Sequence, residues 1–199
     1  MPSRRARDGR KAPQRSRTHA PLRPTWRIRR ATEDDIPGVL ACLRAAFDPY
    51  RDQYTPIAFR ATVLTPQSAR QRIESMVVFV AVDARGTVLG TVSARRGARG
   101  RGNLRGMAVR PSHQGTGLAP SLLDRALRHL AREHCESVTL GTTAPLRRAL
   151  RFYERNGFAR TRRTLDFFGM PLAIYSRHLR PPRRPAAPTG SGRTPRTKT

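Results

Sequence analysis

Gln114-Gly115-Thr116-Gly117-Leu118-Ala119 holds the residue pattern with the clearest chemistry in this 199-residue chain. It follows an apolar, strand-like run, Leu104 to Val109, and opens a stretch of helical period. Two glycines in three residues let the backbone bend tightly and approach a ligand with no Cβ in the way. A helix that begins there brings its unpaired N–H groups and the positive end of its dipole to the same point. An anionic group fits such a place, most often a phosphate.

The neighbouring residues narrow the choice of phosphate. A nucleoside triphosphate loop needs a lysine directly after the last glycine. Leu118 stands there, and the only lysines are Lys11 and Lys198. A dinucleotide fingerprint needs a third glycine three residues after Gly117 and an acid beyond the next strand. Pro120 occupies the first place, and Glu136 precedes the next apolar run, Val138 to Leu140. Two readings remain: the pyrophosphate loop of a coenzyme A acyltransferase, or a glycine turn that only starts a helix.

A second segment separates them. Leu146 to Phe158 reads as a helix stopped by Asn156-Gly157, glycine being the usual left-handed residue past a last turn. Together the two segments resemble the GNAT superfamily of N-acetyltransferases. Its loop signature, Gln/Arg-x-x-Gly-x-Gly/Ala, is met by Gln114, Gly117 and Ala119. Its helix-end signature, Ala-x-x-Phe-Tyr-x-x-x-Gly-Phe, is met by Ala149, Phe152, Tyr153, Gly157 and Phe158. The resemblance spans roughly residues 26 to 179.

The resemblance implies acetyl-CoA as co-substrate and a primary amine, on a small molecule or a peptide, as acceptor. It implies a bulged strand whose backbone at Met107, Ala108 and Val109 bonds the pantetheine arm. Gln114, Gly115, Thr116, Gly117, Leu118 and Ala119 would hold the pyrophosphate, mainly through main-chain N–H groups. Pro120 has no N–H and removes one such donor. Tyr153 matches the family's general acid. Two positions depart from the pattern: Asn103 stands where a proton-accepting Glu is often found, and Leu146 where an Asn often touches the cofactor. A base is needed, because an alkyl amine of pKa ~10.4 is neutral in only about one molecule in 2,000 at pH 7. Asp48, Asp52, Glu74 or a water chain are the substitutes the sequence offers.

These groups need a scaffold. The resemblance implies a mixed α/β (α+β) acyl-CoA N-acyltransferase fold, with a mainly antiparallel sheet of about seven strands and about four flanking helices. The residue pattern agrees. Thr32 with Glu33, Asp34 and Asp35 reads as a helix start, followed by Ile36, Val39, Leu40, Leu43 and Phe47 at helical spacing. Residues 48 to 66 are ambiguous, with Pro49, Pro56 and Pro66 breaking any long helix, and Pro66 to Glu74 reads as a short helix. Val77 to Val82 and Thr87 to Ala94 form a hairpin around Asp83-Ala84-Arg85-Gly86. Leu118, Leu122, Leu123, Ala126, Leu127 and Leu130 line one helix face. Strands follow near Val138 to Gly141, Arg160 to Phe168 and Pro171 to His178.

The formal charge is +27, with 38 arginines against the two lysines. Residues 1–25 carry +7, residues 26–179 carry +14 and residues 180–199 carry +6. The two end segments have almost no apolar content, so they read as disordered basic tails around an acetyltransferase domain at 26–179. Such tails favour weak nucleic-acid contact by counterion release, and arginine-biased coding explains them equally well. No apolar run is long enough to span a bilayer and no secretory pattern opens the chain, so a cytoplasmic monomer or homodimer without membrane contact is expected. Cys42 and Cys135 lack ligand spacing, and the five histidines are scattered, so no metal is expected. The rival function is a CoA-binding regulatory module without catalysis, its tails on nucleic acid.

Overall fold

The computed structural model describes residues 25–179. Seven strands make one sheet: β1 (Arg27–Arg30), β2 (Val77–Val82), β3 (Val88–Arg96), β4 (Arg101–Val109), β5 (Ser137–Thr143), β6 (Ala159–Phe167) and β7 (Met170–His178). Their order is β1-β2-β3-β4-β5-β7-β6. Every neighbouring pair is antiparallel except β4 and β5. Five α-helices accompany them: α1 (Ile36–Phe47), α2 (Pro56–Val63), α3 (Pro66–Ser75), α4 (Leu118–Arg132) and α5 (Arg147–Arg155). That is one helix more than expected.

Strand alternation sends successive residues of β2 to opposite faces. Phe79 and Ala81 join Leu89, Val92 and Leu104 beneath α4. Val80 and Val82 join Val88 and Ala108 beneath α1, where Ile36, Val39, Cys42 and Leu43 cover them. The apolar stripe of α4 is buried along its whole length. Each leucine in it contributes about 1.5–3 kcal/mol of apolar transfer. That packing fixes the start of α4, and with it the glycine loop, against the ends of β3 and β4.

The proline-rich 48–66 region resolves into a short 3-10 turn, Asp48–Gln53, and the extra helix α2. Pro56 sits in the first turn of α2, as Pro66 does in the expected helix α3, where a missing N–H costs nothing. Thr55 and Thr65 cap those helices, accepting the N–H groups of Ala58 and Ser68 at 3.2 Å each. Thr32 starts a 3-10 turn rather than the helix itself. Asp35 of that turn is buried and takes the Arg29 guanidinium at 2.6 and 2.8 Å. Most of both basic end segments lies outside the described residues.

The feature that shapes the site is a parting of the sheet. β4 and β5 pair only from Arg101/Ser137 to Leu104/Leu140, yet β4 runs on to Val109 and β5 to Thr143. A bulge in β4 drives them apart: Thr91 faces Ala108 and Ser93 faces Arg105, so three steps on β4 oppose two on β3. Gly106 sits in the bulge at φ 57, a conformation that suits glycine.

Candidate functional site

A cavity of about 980 Å³ fills the gap between the parted strands. Its wall includes Met107, Ala108 and Val109 of β4 and Gly141, Thr142 and Thr143 of β5. Gln114, Gly115, Gly117 and Ala119 of the glycine loop close one end. Leu146, Arg148, Ala149, Phe152 and Tyr153 from the α5 side face them. Tyr50, Tyr54 and the β6–β7 hairpin residues Asp166, Phe167 and Phe168 border the rest.

The loop has the geometry of an anion cradle. Gly115 and Gly117 take φ 84 and φ 88, the left-handed region, and a Cβ on either would meet no atom. Their requirement is conformational, not steric. Gly117 is the N-cap of α4 and supplies no side-chain acceptor. The first-turn N–H groups of α4 are therefore left uncapped by a side chain at the cavity, except at Pro120, which has none. Two loop residues turn their side chains elsewhere. The Thr116 hydroxyl donates to the His113 carbonyl at 2.7 Å, and Leu118 is fully buried in the core. Neither residue is part of the cavity wall, unlike Gln114, Gly115, Gly117 and Ala119.

Gln114 ties the loop down. Its Nε2 donates to the Val109 carbonyl at 3.2 Å, and its Oε1 accepts Arg148 Nη1 at 2.7 Å. Arg148 thus places a cation beside the cradle. No spacing signal announces a partner 34 residues away, and the sequence reading missed it.

Tyr153 lies where α5 meets the gap, with edge-to-face contacts to Phe152 and Phe158 at centroid distances of 5.4 and 5.8 Å. Burial pushes its phenol well above the ordinary tyrosine value, so the hydroxyl stays protonated at physiological pH. Across the cavity the Tyr54 and Thr143 hydroxyls share a 2.5 Å hydrogen bond, joining the segment before α2 to β5. Thr142 is only 4% exposed and its hydroxyl has no partner.

The proposed bases are not in this wall. Asp48 pairs with Arg51 at 2.9 Å on the surface, and Asp52 and Glu74 are exposed. Asn103 does reach the wall, but its amide is engaged: Nδ2 donates to the Thr139 carbonyl at 3.3 Å and Oδ1 accepts Arg105 Nε at 3.2 Å. The one carboxylate in the cavity wall among the described residues is Asp166. It accepts the Gly169 N–H at 3.1 Å across its own hairpin. Cys42 and Cys135 are buried free thiols, and among the described residues no three metal-ligating side chains gather. No described helix is long and apolar enough to cross a membrane.

A mainly antiparallel seven-stranded sheet, parted at its one parallel pair and closed by a glycine loop that starts a helix, defines the acyl-CoA N-acyltransferase fold. Residues 40–158 match the Acetyltransferase (GNAT) family, and the chain belongs to it. N-alpha-acetyltransferase 30 of Saccharomyces cerevisiae is 31% identical over 83 residues, 42% of this chain and 47% of that protein. Mycothiol acetyltransferase of Propionibacterium freudenreichii subsp. shermanii is 28% identical over 135 residues, 64% of this chain and 41% of that protein. The chain thus spans less than half the length of these two relatives. Among solved structures, the PaiA N-acetyltransferase of Thermoplasma acidophilum in complex with coenzyme A superposes with a TM-score of 0.65. The match is 16% identical and covers 77% of this chain and 99% of that one, a likeness of fold.

Proposed function

We propose that residues 26–179 form an N-acetyltransferase domain that moves acetyl from acetyl-CoA to a primary amine by direct transfer in a ternary complex. The observation that carries this reading is the parted β4–β5 gap, which runs from the glycine cradle to the Tyr153 phenol. Acetyl-CoA supplies a thioester carbonyl for the amine to attack and a thiolate to leave. The residues in the wall suit that ligand at both ends. Loop N–H groups and Arg148 suit an anion, and β4 at Met107, Ala108 and Val109 has no strand partner on its β5 side, where an amide-bearing arm would bond its backbone, although the Val109 carbonyl already accepts Gln114.

Tyr153 acts as the acid. Its raised pKa keeps it protonated but makes full proton release costly. It therefore serves the departing sulfur first as a hydrogen-bond donor. The same water-poor wall disfavours a free thiolate, and this narrows the gap between the two groups. The acceptor's proton leaves through water, and Asp166 is the one carboxylate of the wall among the described residues. Holding amine and thioester together in one cavity supplies much of the rate. The two matching acetyltransferases support the reaction type; the acceptor is not carried over from either.

The test is calorimetric titration of the full chain with acetyl-CoA, beside NAD and ATP, followed by thiol release on adding a panel of amines. Saturable binding of acetyl-CoA alone, with amine-dependent thiol release, is expected. Binding without thiol release from any amine would favour the non-catalytic CoA-binding module. No binding at all would remove both readings.

A further inference from the structure

Beside the main cavity lies a second hollow of about 290 Å³, and Ala61, Arg72 and Arg105 belong to the walls of both. Its charged side chains are all arginines: Arg72 from α3, Arg95 from β3 and Arg105 from β4. No carboxylate lines it, and none of the ion pairs among the described residues uses any of the three. Arg95 and Arg105 are exposed, but Arg72 is half-buried, packed against Gly106 so closely that a Cβ there would collide with its guanidinium. Burial, and then the neighbouring Arg105 charge, lowers the Arg72 pKa to about 10, which leaves it cationic at neutral pH. An unpaired guanidinium in a hollow costs free energy unless an anion visits it.

The two serine hydroxyls of the hollow are committed locally, and the Gln71 amide is its one neutral side-chain donor. Ser75 Oγ donates to the Gln71 carbonyl at 2.6 Å, and Ser68 Oγ bonds back to Thr65. The three guanidiniums are thus its principal donors. Asn103 orients Arg105 without neutralising it, because its Oδ1 accepts Arg105 Nε while bearing no charge. A carboxylate at that position would capture Arg105 as an ion pair.

We propose that this hollow is an anion subsite for the acceptor: the amine that is acetylated belongs to a molecule bearing a carboxylate or phosphate, which sits among Arg72, Arg95 and Arg105 while the amine enters the main cavity. The subsite rests on the acetyltransferase reading above. Planar guanidiniums grip both anions in a two-pronged manner, and charged partners make such hydrogen bonds roughly twice as strong as neutral ones.

The test uses full-length protein, acetyl-CoA and short free-amine peptides that differ in one residue, Gln, Glu or phosphoserine, walked through the second to fourth positions. Thiol release is followed. At the best position, KM for an acidic peptide should lie about tenfold or more below that of its Gln counterpart, which is ~1.4 kcal/mol. Glu and phosphoserine separate the two sources of charge. Arg95→Gln and Arg105→Gln, both at exposed positions, should pull the acidic-to-neutral KM ratio toward one. Equal KM values across the wild-type series would overturn the proposal.

A second measurement needs no turnover. Inorganic phosphate is titrated into the CoA-saturated protein. Its affinity should fall about tenfold in Arg72→Gln and in Arg105→Gln. Unchanged phosphate affinity in both variants would also overturn the proposal. Loss of phosphate affinity with no peptide acetylated would support the anion subsite and exclude a peptide as the acceptor.

Discussion

Replacing Gly117 by alanine separates the cost of folding the phosphate loop from its use. Gly117 sits at φ 88, and a Cβ there meets nothing within 4 Å, so the substitution brings strain but no clash. A left-handed L-residue costs roughly 1–2 kcal/mol, which for a chain of this size is about 2–8 °C in Tm. The strain has an outlet: the backbone can rotate toward negative φ, swinging the first N–H groups of α4 away from the cavity. If one charge-assisted hydrogen bond to a phosphate is lost, at about 1.5–3 kcal/mol, the Kd for acetyl-CoA rises roughly 10- to 150-fold. Gly86 provides the control. It takes φ 83 in the β2–β3 turn, also with open space around it, and lies outside the cavity wall. Gly86→Ala should cost similar stability and leave acetyl-CoA affinity as it is. Calorimetric titration and thermal melts on both variants decide the matter. If both lose stability equally and both bind acetyl-CoA like the wild type, the loop is a helix start and the cradle argument is wrong.

Tyr153→Phe should lower kcat at least about tenfold while sparing acetyl-CoA affinity, since general-acid groups contribute about 10²–10⁴-fold; burial alone raises its pKa, so the fold should hold, and an unchanged kcat would remove its role. Thr142→Val keeps the shape and deletes the buried, unpartnered hydroxyl, so stability measured in urea should stay level or rise by up to ~1 kcal/mol; a large stability loss would mean the hydroxyl was satisfied. Cys42 gives a pH effect. Burial raises its thiol from 9.0 to about 11, so its contribution is intact below pH 9 and is lost as pH rises toward 11, when the unfolded thiol ionises and the folded one does not. The stability advantage of wild type over Cys42→Ala should shrink by about 2–3 kcal/mol across that window in denaturant melts. A constant difference would refute the assignment.

How much of this was legible in the sequence depends on the range of the interaction. Gly115, Gly117 and the Asn156-Gly157 stop are local backbone requirements, and local residue types reveal them. The stripe from Leu118 to Leu130 is a period, and it placed α4 correctly. The proline at 56 misled, because breaker and first-turn residue look alike until the Thr55 cap is seen, whereas the helix opened by Pro66 was read from the sequence. Arg148 on Gln114, Tyr54 on Thr143 and Arg72 under the β4 bulge join residues 34 or more positions apart. No periodicity encodes such meetings; the sheet order creates them. Asp166 was invisible for the same reason, since only the β7–β5 pairing folds its hairpin over the cavity.

Asn103 joins the two departures of this site. A carboxylate at 103 would accept the amine's proton, but it would also pair with Arg105 across the Nε contact now made to a neutral amide. With Asn there, Arg105 keeps its charge for a ligand, and proton acceptance must be met elsewhere. That demand is smaller than the bulk-water figure suggests. Neutralising an amine of pKa ~10.4 at pH 7 costs roughly 4–5 kcal/mol. Yet the wall near Met107, Phe152 and Ile174 is apolar, and desolvation favours the neutral amine over the ammonium. Each unit by which the amine's pKa falls removes about 1.4 kcal/mol of that cost. An apolar wall that desolvates the amine therefore substitutes for part of a dedicated base. The site trades a proton acceptor at 103 for a charge that selects the acceptor.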